Sequence, residues 1–551
     1  MKLNPQIEAI KEKAKEAERN VKPMTVPTYA YNRETRKMEK KDRVIRSGKE
    51  GNSFKRIVII MSFVGIELAF LIYLYVRFIS VFLWFLFIPY AIGIIFACRV
   101  AVSEKNADSK LAWILFLLIL APIAFIVYIF AGEMTSSPIK AYRMKRINRR
   151  TKLLENQAVP KHLSQRIQLD CNYIQNTSDY VPHYGGNAEY FPTGEDFFED
   201  VLDKLRDAKE FIFMDFFILE EGHLANALFE VLIERAKAGV DVRIIIDGLG
   251  SHGTLSLLKV NRIKKNGIMV IAFEPVLPIV SFFINYRNHR KVIVIDGITG
   301  YVGGTNIADE YINAKQRHGV WKDASMRIDG GAVANLTLMF LRMWEYSSKE
   351  KPEYELLKAS APLTASADSD SVIIPYGDGV NEKKKLGKGV YANIISSAQK
   401  SLYIMTPYFI IDSYIVDLLK AKAQSGVDVR IIIPEIPDKK IVYALTLYNA
   451  EKLIASGVRV YTYTPGFIHS KVMLSDNECA VVGSINMDYR SFYQQYESAA
   501  YVTHAKALEQ IDGDFTSTFG ESREITAENV AKRNIFKRFG LAVLQLFAPL
   551  M

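Results

Sequence analysis

Three long apolar runs followed by many short ones set the plan of this chain. Residues 57–76 are apolar almost throughout, broken by Glu67; 78–98 follow after little more than Arg77; 111–131 form a third run. Each has about the 20 residues that cross a hydrocarbon core. They begin too late and run too long for a cleaved leader. We therefore expect three membrane-spanning helices, with Glu67 facing a helix partner, snorkelling, or serving function inside the bilayer.

From residue 185 the pattern changes to short β-branched runs separated by helical segments such as 224–238 and 414–424. The runs repeat. Ala208-Lys209-Glu210-Phe211-Ile212-Phe213-Met214 is echoed by Ala398-Gln399-Lys400-Ser401-Leu402-Tyr403-Ile404-Met405, and Val240-Asp241-Val242-Arg243-Ile244-Ile245-Ile246 by Val427-Asp428-Val429-Arg430-Ile431-Ile432-Ile433. Gly267-Ile268-Met269-Val270 is echoed by Gly457-Val458-Arg459-Val460. Strands buried on both faces, joined by helical crossovers, predict an α/β fold: a parallel or mixed sheet with helices on both sides. Two large units are expected, not a solenoid.

The segments divide as follows: 1–56, a basic and largely disordered arm; 57–131, the transmembrane region; 132–184, a basic linker; 185–355 and 356–522, the two repeats; and 523–551, an amphipathic C-terminal helix. In that helix residues 535, 536, 539, 542, 543, 546 and 547 share one face. It is expected either to lie in a membrane interface or to cap the catalytic core.

Composition adds charge. The chain has 551 residues, a formal charge of +10 and a hydrophobic fraction of 49%. A basic protein favours anionic partners: nucleic acid, phospholipid surfaces or phosphorylated small molecules. Cys98, Cys171 and Cys479 lie far apart without CxxC spacing, so neither a disulfide framework nor a zinc site is expected. Basic residues flank the apolar region on both sides, which three spans cannot reconcile with a cytoplasmic preference for Lys and Arg. The catalytic part adjoins its own basic flank and is expected on the cytoplasmic face of the cell membrane.

The chemistry lies in a doubled motif. Asn288-His289-Arg290-Lys291 leads to Asp296, and Ile468-His469-Ser470-Lys471 leads to Asp476. Gly303-Gly304-Thr305-Asn306 follows the first copy and Gly483-Ser484-Ile485-Asn486 the second. On a strand, positions i and i+2 share a face, so each His projects with its Lys. Asp296 and Asp476 fall at turns and are expected to support the site.

Two His and two Lys meeting across a pseudo-twofold axis suit phosphodiester exchange. One imidazole attacks phosphorus, the other donates a proton to the leaving oxygen, and the ammonium groups and the Asn306 and Asn486 amides hold the non-bridging oxygens. Gly303, Gly304 and Gly483, lacking side chains, are expected to let the backbone come close, with Gly304 and Ser484 among the groups that bind the phosphate. No metal or other cofactor is needed. A nucleophilic imidazole also requires a carboxylate on its second nitrogen; Asp323 and Glu497, each downstream of a His-Lys unit, are the candidates. His162, His183, His223, His252, His318 and His504 lack such contexts and read as structural or surface residues. The first copy also carries about ten extra, mostly apolar residues within 276–288, expected to dip into lipid, line an acyl channel or pack on their own domain.

The doubled His-x-Lys-x4-Asp with its Gly-rich follow-on resembles the phospholipase D superfamily and, within it, the bacterial cardiolipin synthases. Ser109-Lys110-Leu111-Ala112-Trp113-Ile114, Asp309-Glu310-Tyr311, Pro407-Tyr408-Phe409-Ile410 and Asn486-Met487-Asp488-Tyr489-Arg490-Ser491-Phe492 extend the resemblance over most of the chain. Gln495 stands where such proteins commonly carry Asn, which bears on acceptor preference. The resemblance implies two fused phospholipase D-like α/β/α repeats sharing one active site. It implies transfer of a phosphatidyl group between two phosphatidylglycerols, releasing glycerol, through a phosphatidyl-histidine. His289 as nucleophile and His469 as acid and base follow by analogy. Phosphatidylglycerol and anionic membrane lipid are the implied partners. The spans argue against a nuclease, so no nucleic acid partner is expected, and the intact motifs argue against an inactive scaffold. A membrane phospholipase D using water or another alcohol stays open, as does a homo-oligomer.

Overall fold

The computed structural model describes residues 84–550 apart from 105, 129–137, 153, 276–285, 360–369, 381–383, 527 and 529–534. It also describes 24–32, 37–45 and helical residues between 69 and 77.

Fourteen strands carry the duplicated part. The first repeat supplies β1 (Asn187–Phe191), β2 (Phe211–Phe216), β3 (Asp241–Asp247), β4 (Met269–Phe273), β5 (Lys291–Ile295), β6 (Thr299–Gly303) and β7 (Ser325–Asp329). The second supplies β8 (Val372–Asp378), β9 (Ser401–Met405), β10 (Asp428–Pro434), β11 (Arg459–Tyr463), β12 (Val472–Ser475), β13 (Cys479–Gly483) and β14 (Gln495–Val502). In space the first sheet runs β1-β7-β6-β5-β2-β3-β4 and the second β8-β14-β13-β12-β9-β10-β11. The order is the same in both, so the sequence echoes are equivalent strands. Within each sheet the three crossover-linked strands are parallel and the His-Lys strand runs antiparallel beside them.

Alternation along β2 explains how the halves fuse. Phe211 and Phe213 enter a core that also contains Ile404, Val481 and Tyr501 of the second repeat. Ile212 and Met214, on the opposite face, enter a core confined to the first repeat and its helices. Helix Val333–Ser348, buried along almost its whole length, belongs to the shared core. Its Phe340 ring stacks on Phe213 at 4.6 Å.

The N-terminal third departs from expectation. Among the described residues no helix is long and apolar enough to cross a membrane. The first apolar run, Glu67 included, lies largely outside the described residues. The second corresponds to helix Trp84–Ala101. The third is broken into Ala107–Ile119 and Ala121–Val127. Pro122 sits in the first turn of the latter, where it cannot donate to the preceding turn, and Leu120 leaves helical geometry at φ −117 and ψ 36. These helices pack through Ala97, Val100, Trp113, Leu117 and Tyr128. A Cβ on Gly93 would approach the Leu117 carbonyl to 3.0 Å, so glycine permits their close crossing.

Asp108 docks this helical assembly on the second repeat. Its carboxylate accepts from the Ser413 amide at 2.9 Å and the Tyr489 hydroxyl at 2.8 Å.

Two segments before the repeats hold regular structure. Within the arm expected to be disordered, Met24–Asn32 and Lys37–Ile45 pair as an antiparallel hairpin; Thr25, Val26, Tyr29, Tyr31, Val44 and Ile45 suit a pleated strand. The expected linker contains helices Pro138–Arg150 and Gln165–Thr177, the latter burying Ile167, Cys171 and Ile174. The C-terminal helix Ile535–Phe547 packs Leu541 and Leu544 near Leu445 and Tyr489, while Phe539, Val543, Leu546 and Phe547 stay exposed.

Candidate active site

Two short parallel pairings between the repeats build the site. Arg287–Asn288, just before the first motif histidine, pairs with Gln495–Tyr496 at the start of β14. The His289 amide donates to the Tyr496 carbonyl at 2.9 Å. The next residue, Glu497, is fully buried, and both its oxygens lie 3.0 Å from His289 Nδ1. Asn288 is fixed from two sides: its Nδ2 donates to Asp215 at 2.6 Å and its amide to Asp247 at 2.9 Å.

The second half mirrors this. Gly466–Ile468 pairs with Val320–Lys322. The His469 amide donates to the Lys322 carbonyl at 2.6 Å, and the next residue, Asp323, places Oδ2 2.6 Å from His469 Nδ1. Each histidine therefore meets the carboxylate of the other repeat, not the one downstream of its own motif.

Both imidazoles border one cavity of about 660 Å3, lined also by Asn306, Asn486, Arg490 and Lys439. With Nδ1 committed to a carboxylate, Nε2 is the nitrogen left for chemistry. Aromatic rings hold the imidazoles laterally: Phe217 lies 4.9 Å from His289, and Trp321, Tyr311 and Phe467 lie 5.3, 5.6 and 5.9 Å from His469.

Burial, reinforced by Lys291, Lys471 and Arg490, holds His289 well below its usual pKa. Burial, with Lys471 and Lys291, does the same to His469. Burial lowers Lys291 to about 7 and Lys471 to about 8 against the pull of Glu497 and Asp323. Burial also pushes Asp323 up to about 7 and Glu497 up to about 8, opposed by the same ammonium groups. A cluster of this kind holds neutral imidazoles near neutral pH, a state suited to attack on phosphorus.

The remaining predicted residues have the following partners. Asp296 accepts the amides of Lys209, Glu210 and Phe211 at 2.8–2.9 Å, and Asp476 those of Gln399, Lys400 and Ser401 at 2.6–3.2 Å. These aspartates, grouped by the motif with the catalytic residues, sit at the far strand ends in left-handed turns (φ 53 and 56) and tie β2 and β9 to the His-Lys strands.

The Gly304 amide donates to the Ala324 carbonyl at 2.9 Å. A Cβ there would lie 2.2 Å from Asp323 Oδ1, so the glycine makes room for the carboxylate. Ser484 donates to Glu497 Oε2, and so orients the other carboxylate. The lysines turn back on their own backbone: Lys291 Nζ donates to the His289 carbonyl at 2.6 Å, and Lys471 to the His469 carbonyl while lying 2.8 Å from His469 Nδ1. Asn306 is held by the Ile218 amide at 3.0 Å and donates to the Tyr311 hydroxyl at 2.6 Å. Asn486 Oδ1 is buried without a hydrogen-bond partner among the described residues, and Asn486 borders the cavity, so this oxygen can accept from an incoming hydroxyl.

Arg490, Lys439, Arg317, Tyr311 and Tyr408 line the cavity and were given no role from sequence, although Tyr311, Tyr408 and Arg490 fall in stretches that carry the resemblance. Arg490 lies four residues beyond Asn486, a spacing with no basic counterpart after Asn306. His318, read as structural or surface, also borders the cavity, 6.4 Å from Trp321 between ring centroids. Among the described residues no group of His, Cys, Asp or Glu is arranged to hold a metal ion. The apolar insertion lies almost wholly outside the described residues.

Two repeats sharing one doubled-histidine site define a phospholipase D-like protein. Residues 201–344 and 391–519 match the family described as "Cardiolipin synthase, PLD-like domain". A cardiolipin synthase of Halalkalibacterium halodurans is 32% identical over 460 residues, covering 82% of this chain and 90% of its own. Cardiolipin synthase 1 of Staphylococcus aureus is 32% identical over 486 residues, covering 84% and 96%. An uncharacterized protein of Streptococcus mutans is 38% identical over 400 residues, covering 73% and 85%. The chain belongs to the cardiolipin synthase family. The fold is shared with phosphatidylserine synthase of Haemophilus influenzae, at a TM-score of 0.52, 14% identity and coverage of 69% of this chain and 98% of that one.

Proposed function

We propose that this chain is a membrane-bound cardiolipin synthase that joins two phosphatidylglycerols and releases glycerol. The observation carrying the reading is the crossed pair of dyads, His289–Glu497 and His469–Asp323, facing one cavity. His289 Nε2 attacks phosphorus, a P–N bond forms, and the P–O bond to the glycerol headgroup breaks. Entry of the anionic phosphate favours uptake of a proton by His469, which, steadied by Asp323, gives that proton to the departing glycerol oxygen. It then takes a proton from the hydroxyl of a second phosphatidylglycerol; that oxygen attacks phosphorus, the P–N bond breaks, and cardiolipin leaves. The order of the two histidines rests on analogy. Arg490 and Lys439 provide positive charge for the non-bridging oxygens, while buried Lys291 and Lys471 act through their field.

A membrane setting is supported by the outward apolar side chains of the docked helices, among them Ile88, Ile94, Ile95, Leu111 and Ile119. Phe539, Val543, Leu546 and Phe547 add a second apolar stripe on the C-terminal helix, whose end at Ala548 borders the active-site cavity. The basic stretch after residue 137 favours the cytoplasmic face.

Purified full-length protein given labelled phosphatidylglycerol in mixed lipid tests the reading. Cardiolipin and glycerol are expected as products. Phosphatidic acid in place of cardiolipin would make water the acceptor and the protein a hydrolase.

A further inference from the structure

Arg290, between His289 and Lys291, points away from the chemistry. It is buried, its Nε donates to the Glu497 carbonyl at 3.1 Å, and one Nη donates to the Asp378 carbonyl at 3.2 Å. Its other Nη has no hydrogen bond among the described residues. Its guanidinium lies over the Tyr496 ring at 5.6 Å. Arg290 and Tyr496 form part of the wall of a second cavity, of about 600 Å3, that contains neither motif histidine.

The rim of this second cavity is strongly basic. Lys145, Arg149, Lys152 and Lys384 border it; all four are exposed, and none has an ion-pair partner among the described residues. Two other arginines of helix Pro138–Arg150 behave differently. Arg150 is paired to Glu345 at 2.5 Å, and Arg143 donates to the Glu345 carbonyl at 2.7 Å. The acid on the cavity wall, Asp179, is taken by buried Arg342 at 2.9 Å. Four unneutralised cations over a buried guanidinium with a free N–H make a receptor for a doubly charged oxyanion. Met144, Met339 and Met343 supply an adaptable apolar wall beside it.

We propose that this cavity is a second anion site for a phosphate group, either a phospholipid headgroup or free inorganic phosphate, distinct from the catalytic cavity. A phosphate there engages Arg290, which holds the Glu497 backbone and adjoins His289. Occupancy therefore bears on the geometry of one dyad. The site does not depend on the reaction proposed above, because its residues take no part in phosphoryl transfer.

Lysine acetylation of the full-length protein, read residue by residue by mass spectrometry, tests the site. The probes are inorganic phosphate alone, phosphatidylcholine vesicles, and phosphatidylcholine vesicles doped with phosphatidic acid. Lys145, Lys152 and Lys384 should lose reactivity together, several-fold, while Lys161 and Lys237 keep theirs. Protection by inorganic phosphate alone identifies a free-phosphate site; protection only by doped vesicles identifies a lipid headgroup site. The R149E variant should weaken the protection in the effective arm, and H289A should leave it intact while abolishing turnover. No protection in any arm, or equal protection of Lys161 and Lys237, overturns the proposal. Failure of the unsubstituted protein to form cardiolipin from phosphatidylglycerol, with protection intact, would instead count against the proposed function.

Discussion

His289 and Glu497 stand 208 residues apart and lie 3.0 Å from one another across the boundary between the repeats. His469 and Asp323 repeat the relationship in the opposite sense at 2.6 Å. A carboxylate that fixes the imidazole tautomer and stabilises its charged form commonly contributes several orders of magnitude to rate. Replacing Glu497 with Gln should lower turnover by a factor on the order of 10^2–10^4. The variant should also change the reactivity of His289 towards diethylpyrocarbonate while leaving His469 as it was. A change at His469 alone would mean the partners are not crossed.

Gly304→Ala should act on the opposite histidine. The new methyl would collide with Asp323, which must shift away from His469. We expect a fall in kcat exceeding any change in KM, with near-native circular dichroism. An active alanine variant would show that Asp323 tolerates displacement.

Ser484→Ala removes a hydroxyl that donates to the buried Glu497 carboxylate and also accepts the Ser498 amide at 3.0 Å. Leaving such a group unsatisfied costs about 1–3 kcal/mol. Urea titration should show a loss of that order, together with reduced turnover; unchanged stability would place the serine outside the support of Glu497.

Asp296 and Asp476 should be separable from the chemistry. Each caps three consecutive backbone amides, and hydrogen bonds to charged groups are worth about 1.5–3 kcal/mol each, so Asp476→Ala should destabilise strongly. Burial alone would raise the Asp476 carboxyl, but the Ser401, Lys400 and Gln399 amides and Arg166 outweigh it, and the group sits below its usual range. Its folded-state pKa is thus lower than in the unfolded chain. The stability it contributes is present above the ordinary carboxylate pKa and is lost as pH falls through the folded value. In the variant, acid unfolding should lose that component, while the fraction that remains folded at low temperature keeps measurable turnover.

The pH dependence of activity should peak between about 7 and 8. Asp323 and Glu497, raised to about 7 and about 8, must ionise to orient the imidazoles, so rate rises with pH through that range. Lys291 and Lys471, lowered to about 7 and about 8, must stay charged, so rate then falls. An anionic substrate favours the charged ammonium groups. The alkaline limb of kcat should therefore lie above that of kcat/KM. A flat profile across this window would rule out titration by these groups.

The duplication was legible because the echoes at Ile212 and Leu402, and at Asp241 and Asp428, fall on strands that keep the same sheet order in both halves. The crossing of the dyads was not. It depends on pairings only two and three residues long, too short for any periodic signal, and each carboxylate follows the motif of its own repeat in the sequence. The duties of Gly304 and Ser484 were hidden for a related reason: a glycine that admits a carboxylate and one that admits a phosphate look alike until the neighbour is seen. In the third apolar run hydropathy outweighed Pro122, and the chain breaks there.

The crossed strands also change what the boundary between the repeats is. Two separate halves would assemble the site only at concentrations that favour their association. Fusion in one chain replaces that dependence with a fixed effective concentration. It also removes any independence of the halves: a substitution that loosens the boundary shifts both imidazoles together, so neither histidine can be tuned by its own repeat alone.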